Sequence, residues 1–579
     1  MKNPLVSRKV PKSSHGYSAF PLDNFANFTS VAGYLIPVYW DYLEPGDKVT
    51  CKTLLRTRTQ PLKKPAMATV IERVEWFAVP IQQLYKLFSS KYYGINDQES
   101  DVLPTNGLND YTPFINLDDL SDWILGLPTT FNAQSAIPVA TPTLAEAKRL
   151  CDAMGLPDTL GSATRPSGYT YNTSISVFPF AAYQKIYYDH YRLTDREEND
   201  PKAYNFDSYF GTTGVSANVV DASPDYRFRK LFFLRKRPYM RDYFTSMQVS
   251  PLFGSSDVNA AGNDLGSIQN WLNGLTSVSG GVPANSPNDG YIARSASLPT
   301  SVRLPNLVSA SITANEVSGM FNPANIRSLF AVEKLLDITR RAKKHYDMQT
   351  LAHFGVKVPK GLAGECYKLG THEQYLKIGD VVSTADTSTG SLGQLAGQGS
   401  SGAESKKIHF EADCHCVLMA IYSAEPVVNI NSDGMSRLFT QIRTSEWYKS
   451  EFDNLGMQPI FRYELYTNCE SGTPYGNDIV LGWQYRYYQN KMKYNRSFAG
   501  ITTSYFLEWA LNRTSIGTGS SFSRNFFFVW PTDMNDILLN SYTGGVNHST
   551  CYSEDYFINQ IYFDVIKSSK KSIYGEPNL

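Results

Sequence analysis

The sequence lacks the features of secreted and membrane-spanning proteins. It contains only seven cysteines in 579 residues, and their odd number and scattered positions do not form a disulfide framework. No uncharged apolar run approaches the roughly 18 residues of a membrane-spanning helix, and the first residues carry no apolar run that could serve as a signal peptide. These absences predict reduced thiols and a soluble protein that is made and used in a cytoplasm, with no membrane partner.

The sequence also lacks net charge. It has 54 Lys and Arg residues against 54 Asp and Glu residues, so no overall electrostatic field would steer it toward nucleic acid or a membrane surface. Any polyanionic partner must therefore be bound by a local group of cations.

Motifs for the common chemistries are missing. Residues 397–402 satisfy GxGxxG literally, but neither the strand before it nor the helix after it is indicated, so a flexible loop is expected. Cys414, His415 and Cys416 resemble metal ligands, yet a closed tetrahedral site needs a second ligand pair, and buried free thiols in a strand are the favoured interpretation. We therefore predict no enzymatic activity, no cofactor and no metal site.

Aromatic and turn-forming residues are abundant instead. The 38 Tyr, 31 Phe, 40 Gly and 31 Pro residues favour an all-β chain with long loops. Residues 48–59 alternate apolar and basic side chains as a half-buried strand does, whereas residues 69–79 are apolar on both sides and predict a strand between two layers. Pairing of a strand near residue 50 with one near residue 560 would close a sandwich over the whole chain.

Several other elements are indicated by periodicity. Helices are predicted at residues 144–154, at residues 180–193, and from Pro323 to a point before Gly355. Further strands are predicted at residues 409–421, 525–530 and 556–566. Residues 250–320 and 384–402 are rich in Ser and Gly and are predicted to be a surface excursion and a mobile loop.

The strongest local charge run covers residues 226–241, where seven basic residues alternate with five aromatic ones. Such a mixture can follow a phosphate backbone and stack bases, as in single-stranded nucleic-acid grooves. The alternative is an amphipathic element whose aromatic rings lie in the core and whose cations pair with nearby carboxylates.

Short segments in a fixed order resemble the major capsid proteins of the Microviridae, small phages with circular single-stranded DNA. The similarity is greatest to the gokushovirus and Bacteroidetes-prophage branches, although the residues after Ser246 depart from the usual gokushovirus pattern. The matching segments are PGD at 45–47, WFAVP at 76–80, FPFAAYQKIY at 178–187, DYFTS at 242–246, HFGV at 353–356, LGWQYRY at 481–487 and IYGEP at 573–577.

The resemblance implies an eight-stranded jelly-roll β-sandwich with long, partly helical insertion loops. We expect an N-terminal arm at residues 1–44 and a single capsid domain at 45–579, with insertions at about 81–229, 250–320 and 384–402. The resemblance further implies self-assembly into a T=1 icosahedral shell around circular single-stranded DNA. The virion would be assembled in the bacterial cytoplasm.

The resemblance also implies partners. These are copies of the same chain, the packaged DNA, a small basic DNA-binding virion protein, a pilot or minor virion protein, and a host cell-surface receptor. We expect residues 250–320 to form a surface protrusion that contacts the host through Trp271 and Tyr291. The candidate contacts with DNA are Arg227, Arg229, Lys230, Arg235, Lys236, Arg237, Lys9 and Lys12.

Two other functions fit the composition. A soluble all-β carbohydrate-binding protein would use exposed Tyr and Trp side chains, and an enzyme without a recognisable motif would need a substrate cleft. Formation of particles would separate the capsid function from both.

Overall fold

The fold is built on antiparallel β-structure. The computed structural model describes residues 16–93, 112–127, 143–157, 160, 173–208, 218–220, 227–249, 291–292, 302–303, 334–335, 338–339, 345–358, 364–384, 393–431, 434–442, 444, 446–453, 456–465, 480–503, 505–513, 524–544 and 551–571. Its strands are β1 (Ser18–Pro21), β2 (Asn24–Ser30), β3 (Ile36–Leu43), β4 (Lys48–Thr59), β5 (Val70–Pro80), β6 (Phe114–Asn116), β7 (Ser174–Ser176), β8 (Tyr291–Ile292), β9 (Val302–Arg303), β10 (Tyr367–Val382), β11 (Leu395–Glu404), β12 (Ile408–Glu411), β13 (Cys416–Pro426), β14 (Asn429–Asn431), β15 (Met457–Phe461), β16 (Val480–Tyr485), β17 (Arg496–Ser497), β18 (Asn512–Arg513) and β19 (Phe557–Ser569).

Helices are short and lie between the strands. The α-helices are α1 (Ile81–Leu84), α2 (Phe88–Tyr93), α3 (Leu117–Leu125), α4 (Leu144–Ala153), α5 (Phe178–Ile186), α6 (Tyr346–Phe354) and α7 (Tyr488–Lys491), and a π-helical turn at Tyr187–Tyr191 continues α5. Single 3₁₀ turns occur at Pro201–Ala203, Phe206–Ser208, Arg227–Phe232, Arg437–Thr440, Ser450–Phe452, Arg462–Glu464, Ala499–Thr502, Leu507–Trp509, Arg524–Phe527 and Pro531–Met534.

One hydrogen-bonded path of eight strands forms both layers of the sandwich. Its order is β1-β19-β4-β11-β10-β5-β13-β3, with β2 added on β19 and β12 added on β4. The long strand β10 belongs to both layers, since its first part pairs with β5 and its last part pairs with β11. Thus the predicted all-β jelly-roll class is confirmed.

The two ends of the chain meet in this sheet. Strands β4 and β19 pair in antiparallel fashion from Thr59 opposite Phe557 to Lys48 opposite Ser568. This is the predicted pairing of a strand near residue 50 with one near residue 560, and it joins segments about 500 positions apart in sequence. Contacts of such long range make closure of the sandwich a property of the whole chain.

The core between the layers centres on Trp76 of β5. Its ring lies 5.3 Å from the ring of Tyr39 on β3 and 5.7 Å from that of Phe563 on β19. The indole nitrogen donates to the hydroxyl of Thr53 on β4 at 3.1 Å, so a buried polar atom is satisfied across the layers. Every residue of β5 is buried, as predicted for a strand that is covered on both sides.

Helix α5 covers the outer face of β5. The Tyr183 hydroxyl donates to the Leu35 carbonyl at 2.8 Å, and the ring of Tyr191 in the π-helical turn lies 5.9 Å from that of Phe77. The predicted helices at 144–154 and 180–193 are confirmed as α4 and as α5 with its π-helical turn.

The loop predicted at residues 384–402 is wrong for its second half, which forms most of β11. Small residues are needed there for close packing and not for mobility. A Cβ atom on Gly397 would lie 2.5 Å from the Lys64 carbonyl oxygen and 2.9 Å from the Pro65 Cα. Composition alone could not distinguish this close approach from a flexible linker.

Two other predicted strands need correction. The strand predicted at 525–530 is instead a 3₁₀ turn, Arg524–Phe527, and its Phe526 and Phe527 side chains join a separate apolar cluster. The strand predicted at 409–421 is divided between β12 and β13, and Cys414 lies in the bend between them.

The long helix predicted from Pro323 is not continuous. His345 has an extended backbone (φ −114°, ψ 145°), and α6 begins after it. Its predicted end before Gly355 is confirmed, since Gly355 adopts a left-handed conformation there. Apart from residues 291–292 and 302–303, the excursion predicted at 250–320 lies outside the described residues.

The close approach at Gly397 can be tested by substitution. We expect Gly397→Ala to lower the free energy of unfolding by about 1–3 kcal/mol, because backbone atoms of Lys64 and Pro65 would have to move. The matched control is Gly402→Ala in the same strand, where the nearest atom to an added Cβ is Arg56 Cγ at 3.9 Å. Thermal unfolding of the two purified variants should separate them, and equal midpoints would contradict the packing argument.

Candidate functional site in the basic and aromatic segment

The aromatic residues at the start of the predicted nucleic-acid segment enter the core. Phe228 and Phe232 are buried in the 3₁₀ turn Arg227–Phe232. The ring of Phe232 lies 4.8 Å from that of Phe180 and 5.4 Å from that of Trp123, so it joins α5 to α3. These rings are not platforms for stacked bases.

The cations that follow bind helices α4 and α5. The Arg235 Nε donates to Gln184 Oε1 at 2.7 Å, and its guanidinium group lies 4.7 Å from the ring centre of Tyr187. The Lys236 Nζ is 2.8 Å from a carboxylate oxygen of Glu146. We call residues 235–247 the strap, because its side chains attach to several separate elements.

Arg237 lies at the centre of a buried ionic cluster. Its guanidinium group donates to Glu75 Oε2 at 2.7 Å and to the Ser423 hydroxyl at 2.9 Å. Glu75 also accepts from Lys368 Nζ and from the Tyr191 hydroxyl, each at 2.5 Å. We call Glu75, Arg237, Lys368 and Tyr191 the Glu75 cluster.

The charge state of Glu75 follows from these contacts. Burial opposes ionisation of the carboxyl, but the positive charges of Arg237 and Lys368 outweigh it and lower the pKa of Glu75 to about 2. The neighbouring Glu425 is bound in the same way, since it accepts from Arg73 at 2.5 Å and from the Met240 backbone N–H at 2.6 Å. The charges of Glu75 on β5 and Glu425 on β13 are therefore compensated.

Two tyrosines fix the far end of the strap. The Tyr239 hydroxyl donates to Asp533 at 2.5 Å, and the Tyr243 hydroxyl donates to Glu464 at 2.8 Å. Burial raises the pKa of each carboxyl despite these hydrogen bonds. The strap thus attaches β5 and β13 to the turns at 531–534 and 462–464.

A cavity of about 310 Å³ opens beside the Glu75 cluster. Its walls include His190, Tyr191 and Pro238, and Met240 and Arg241 lie exposed at its rim. Among the residues that the structure describes, no group of three or more His, Cys, Asp and Glu side chains could hold a metal ion. The charged side chains of the Glu75 cluster beside this cavity form ion pairs with one another, and such pairs stabilise the fold.

The structure places the predicted DNA-contacting residues in different surroundings. Arg235, Lys236 and Arg237 have side chains only 13–15% exposed and contact protein carboxylates, as the alternative interpretation of this segment expects. Lys230 binds Asp200, and Arg229 is half-buried. Contact of these residues with DNA stays a prediction.

The remaining predicted residues are only partly described. Arg227 opens a 3₁₀ turn, and Tyr291 pairs with Arg303 in the two strands β8 and β9. Lys9, Lys12 and Trp271 lie outside the described residues. Their roles stay predictions.

Sequence reasoning missed the acidic partners of the strap. Glu75, Glu146 and Asp533 are far apart in the sequence, and no motif joins them. One signal was available, namely the charged residues Glu72, Arg73 and Glu75 inside the apolar strand β5. Charges in a strand that is covered on both faces require partners.

The two cysteines that resembled metal ligands are free thiols. Their sulfur atoms lie 3.6 Å apart, with Cys416 buried and Cys414 half-buried. In the described part of the chain, no helix is both long enough and apolar enough to cross a membrane.

Comparison with known proteins gives two matches. A family model described as "Capsid protein (F protein)" matches residues 120–511. The capsid protein VP1 of Chlamydia phage 1 is 24% identical over 644 aligned positions, which cover 99% of this chain and 96% of the relative. The family match therefore includes the strap and several strands of both layers.

The ionic contacts of Glu75 predict a pH dependence of stability. Because its pKa is lowered from 4.5 to about 2 in the fold, its contribution is present above pH 4.5 and is lost as the pH falls toward 2. We expect Glu75→Gln to lower the free energy of unfolding at neutral pH by about 3–5 kcal/mol, since Arg237 loses a buried partner. The variant should also show a shallower fall of the unfolding midpoint between pH 4.5 and pH 2.

Glu411→Gln is the control for this experiment. Glu411 pairs with Lys48 at 3.2 Å, but more than half of each side chain is exposed, so the pair contributes little. Its pH profile should overlay that of the unsubstituted protein. A Glu75→Gln profile parallel to the control would contradict the assignment of the acid-sensitive contribution to Glu75.

Proposed function

This chain belongs to the capsid protein (F protein) family of phages, and from that premise we propose that it forms a T=1 icosahedral shell around circular single-stranded DNA. The resemblance to major capsid proteins of the Microviridae is confirmed by the family match and by the similarity to the Chlamydia phage protein. The family and this relative are structural capsid proteins and not enzymes.

The extent of the similarity carries the proposal. The aligned region includes both the central strands and the segments inserted between them, so it is not limited to a fold that unrelated proteins share. A jelly-roll sandwich also suits a shell, because the loops between its strands can grow and carry contacts without disturbing the core. We infer that copies of this chain assemble in the bacterial cytoplasm.

Packaging of DNA requires cations that the total charge does not supply. The strap cations Arg235, Lys236 and Arg237 already bind protein carboxylates. The proposal therefore assigns inward contacts mainly to Lys9 and Lys12 of the N-terminal arm, with Arg227, Arg229 and Lys230 as further candidates. A small basic virion protein would supply the remaining positive charge.

Residues 250–320 are proposed as a surface protrusion that contacts the host receptor. The chain just before them is held in place, because the backbone N–H and C=O groups of Gln248 both bond to Trp483 at 2.8 Å. Insertions as long as this in a compact protein are generally functional. A pilot or minor virion protein is a further proposed partner.

Particle formation tests the proposed function. We expect the chain, expressed in bacteria, to sediment as multi-megadalton shells or as discrete capsid precursors, and electron microscopy should show closed particles of uniform size. A carbohydrate-binding protein or an enzyme would remain a small oligomer. Sedimentation as a monomer or small oligomer under all assembly conditions would overturn the proposal.

Replacement of residues 250–320 by a short Gly/Ser linker tests the protrusion. Particles should still form, because the linker leaves the sandwich and the strap intact, but binding of particles to host cells should fail. The full-length double variant Trp271→Ala, Tyr291→Ala should also form particles and bind host cells less tightly. Loss of particles on loop replacement would refute the assignment of this segment to host contact.

A further inference from the structure

Two surface segments leave a small parallel sheet at the same end. Strand β14 pairs in parallel with β17, with Ile430 opposite Arg496 and Asn431 opposite Ser497. Because paired strands lie about 5 Å apart and these two run in the same direction, their last residues, Asn431 and Ser497, lie side by side. The first segment comprises the described residues 434–442, 444 and 446–448, and the second comprises residues 498–503 and 505–506.

Both segments expose large apolar side chains. Ile442 is 86% exposed, Tyr505 is 85% exposed and Phe439 is 76% exposed. We call six of the exposed side chains of these two segments the apolar surface; they are Phe439, Ile442, Trp447, Phe498, Tyr505 and Phe506.

The backbone under the first segment is held in place. The Met435 N–H donates to the Tyr463 carbonyl at 2.9 Å, and Arg437 lies 3.6 Å from the buried Glu464. The ring of Tyr448 lies 5.2 Å from that of Tyr487. A partner that binds here would therefore lose little entropy in ordering this segment.

The second segment is held by its own turns. The Thr503 N–H bonds to the Gly500 carbonyl, and the Phe506 N–H bonds to the Thr503 carbonyl. Gly500 packs directly under the ring of Phe506, which lies 2.8 Å from the place of an added Cβ. The exposed rings of this segment thus occupy defined positions.

The size of the apolar surface matches a protein–protein interface. A buried aromatic side chain covers about 150–250 Å², so the six side chains expose on the order of 800 Å². Summed over both segments, this area is comparable with the roughly 800 Å² that one partner contributes to a stable protein–protein interface.

The six side chains of the apolar surface carry no charge, and Arg437 of the first segment already pairs with Glu464, so the surface favours a protein over nucleic acid as its occupant. Residues 498–506 contain no Lys, Arg, Asp or Glu, whereas a groove that binds a phosphate backbone needs cations. Exposed aromatic side chains without charge are typical of the centre of an interface between proteins.

We infer that the apolar surface is a contact between neighbouring copies of this chain in the shell. The inference rests on the proposed function, since a capsid subunit must bury its interfaces against identical subunits. Strand β14, which precedes the first segment, contributes Ile430 to the second apolar cluster together with Ile460 and Phe527.

The double variant Ile442→Glu, Tyr505→Glu tests this inference. Both side chains are almost fully exposed in the single chain, so the variant should fold and unfold thermally as the unsubstituted protein does. The critical concentration for particle assembly, measured by sedimentation, should rise about tenfold or more, because two charges would be buried without partners at the contact. The matched control Ile442→Leu, Tyr505→Phe should assemble at the original concentration.

The possible outcomes separate this inference from the proposed function. If the unsubstituted chain forms no particles, the proposed function fails. If the unsubstituted chain assembles and the Glu variant assembles at the same concentration, the proposed function stands and the contact is wrong. If another partner occupied this surface, the Glu variant would assemble normally but lose host binding or a minor virion protein. That result would also overturn the inferred contact between copies.

Discussion

Compensation of buried charge is the constraint on which the rest of this structure depends. Strands β5 and β13 lie beneath α5 and the strap and carry Glu75 and Glu425 into the interior. A carboxylate without a partner at such a site would cost several kcal/mol. The strap supplies part of this compensation, since Arg237 contacts both carboxylates and Met240 contributes a backbone N–H.

The same strap joins the sandwich to its insertions. Lys236 binds Glu146 of α4, and Tyr243 binds Glu464 beside the second apolar cluster. A capsid subunit must carry long insertions in fixed positions, because its contacts with identical neighbours close a shell only at the correct angles. A single segment with many directional contacts fixes these positions with more geometric specificity than apolar packing alone.

The sequence predicted those parts of the fold and site that depend on local pattern. The alternation in β4 gave its bounds and its buried face, and the covered strand β5 followed from its apolar residues. The basic and aromatic run was located correctly, but its partners could not be inferred, because Glu75, Glu146 and Asp533 come together only after the chain folds. For the same reason β11 was predicted as a loop, since its glycines are explained only by the approach of Lys64 and Pro65.

By itself, the sequence determined the all-β class, the pairing of the first and last long strands, and the capsid family, because periodicity and ordered motifs can be read along the chain. Only the tertiary structure decided that the strap cations Arg235, Lys236 and Arg237 bind protein carboxylates, and that Phe439 and Tyr505 remain exposed. Both facts concern which distant residues become neighbours. The free energy of a charge or an apolar side chain depends on those neighbours and not on its position in the sequence.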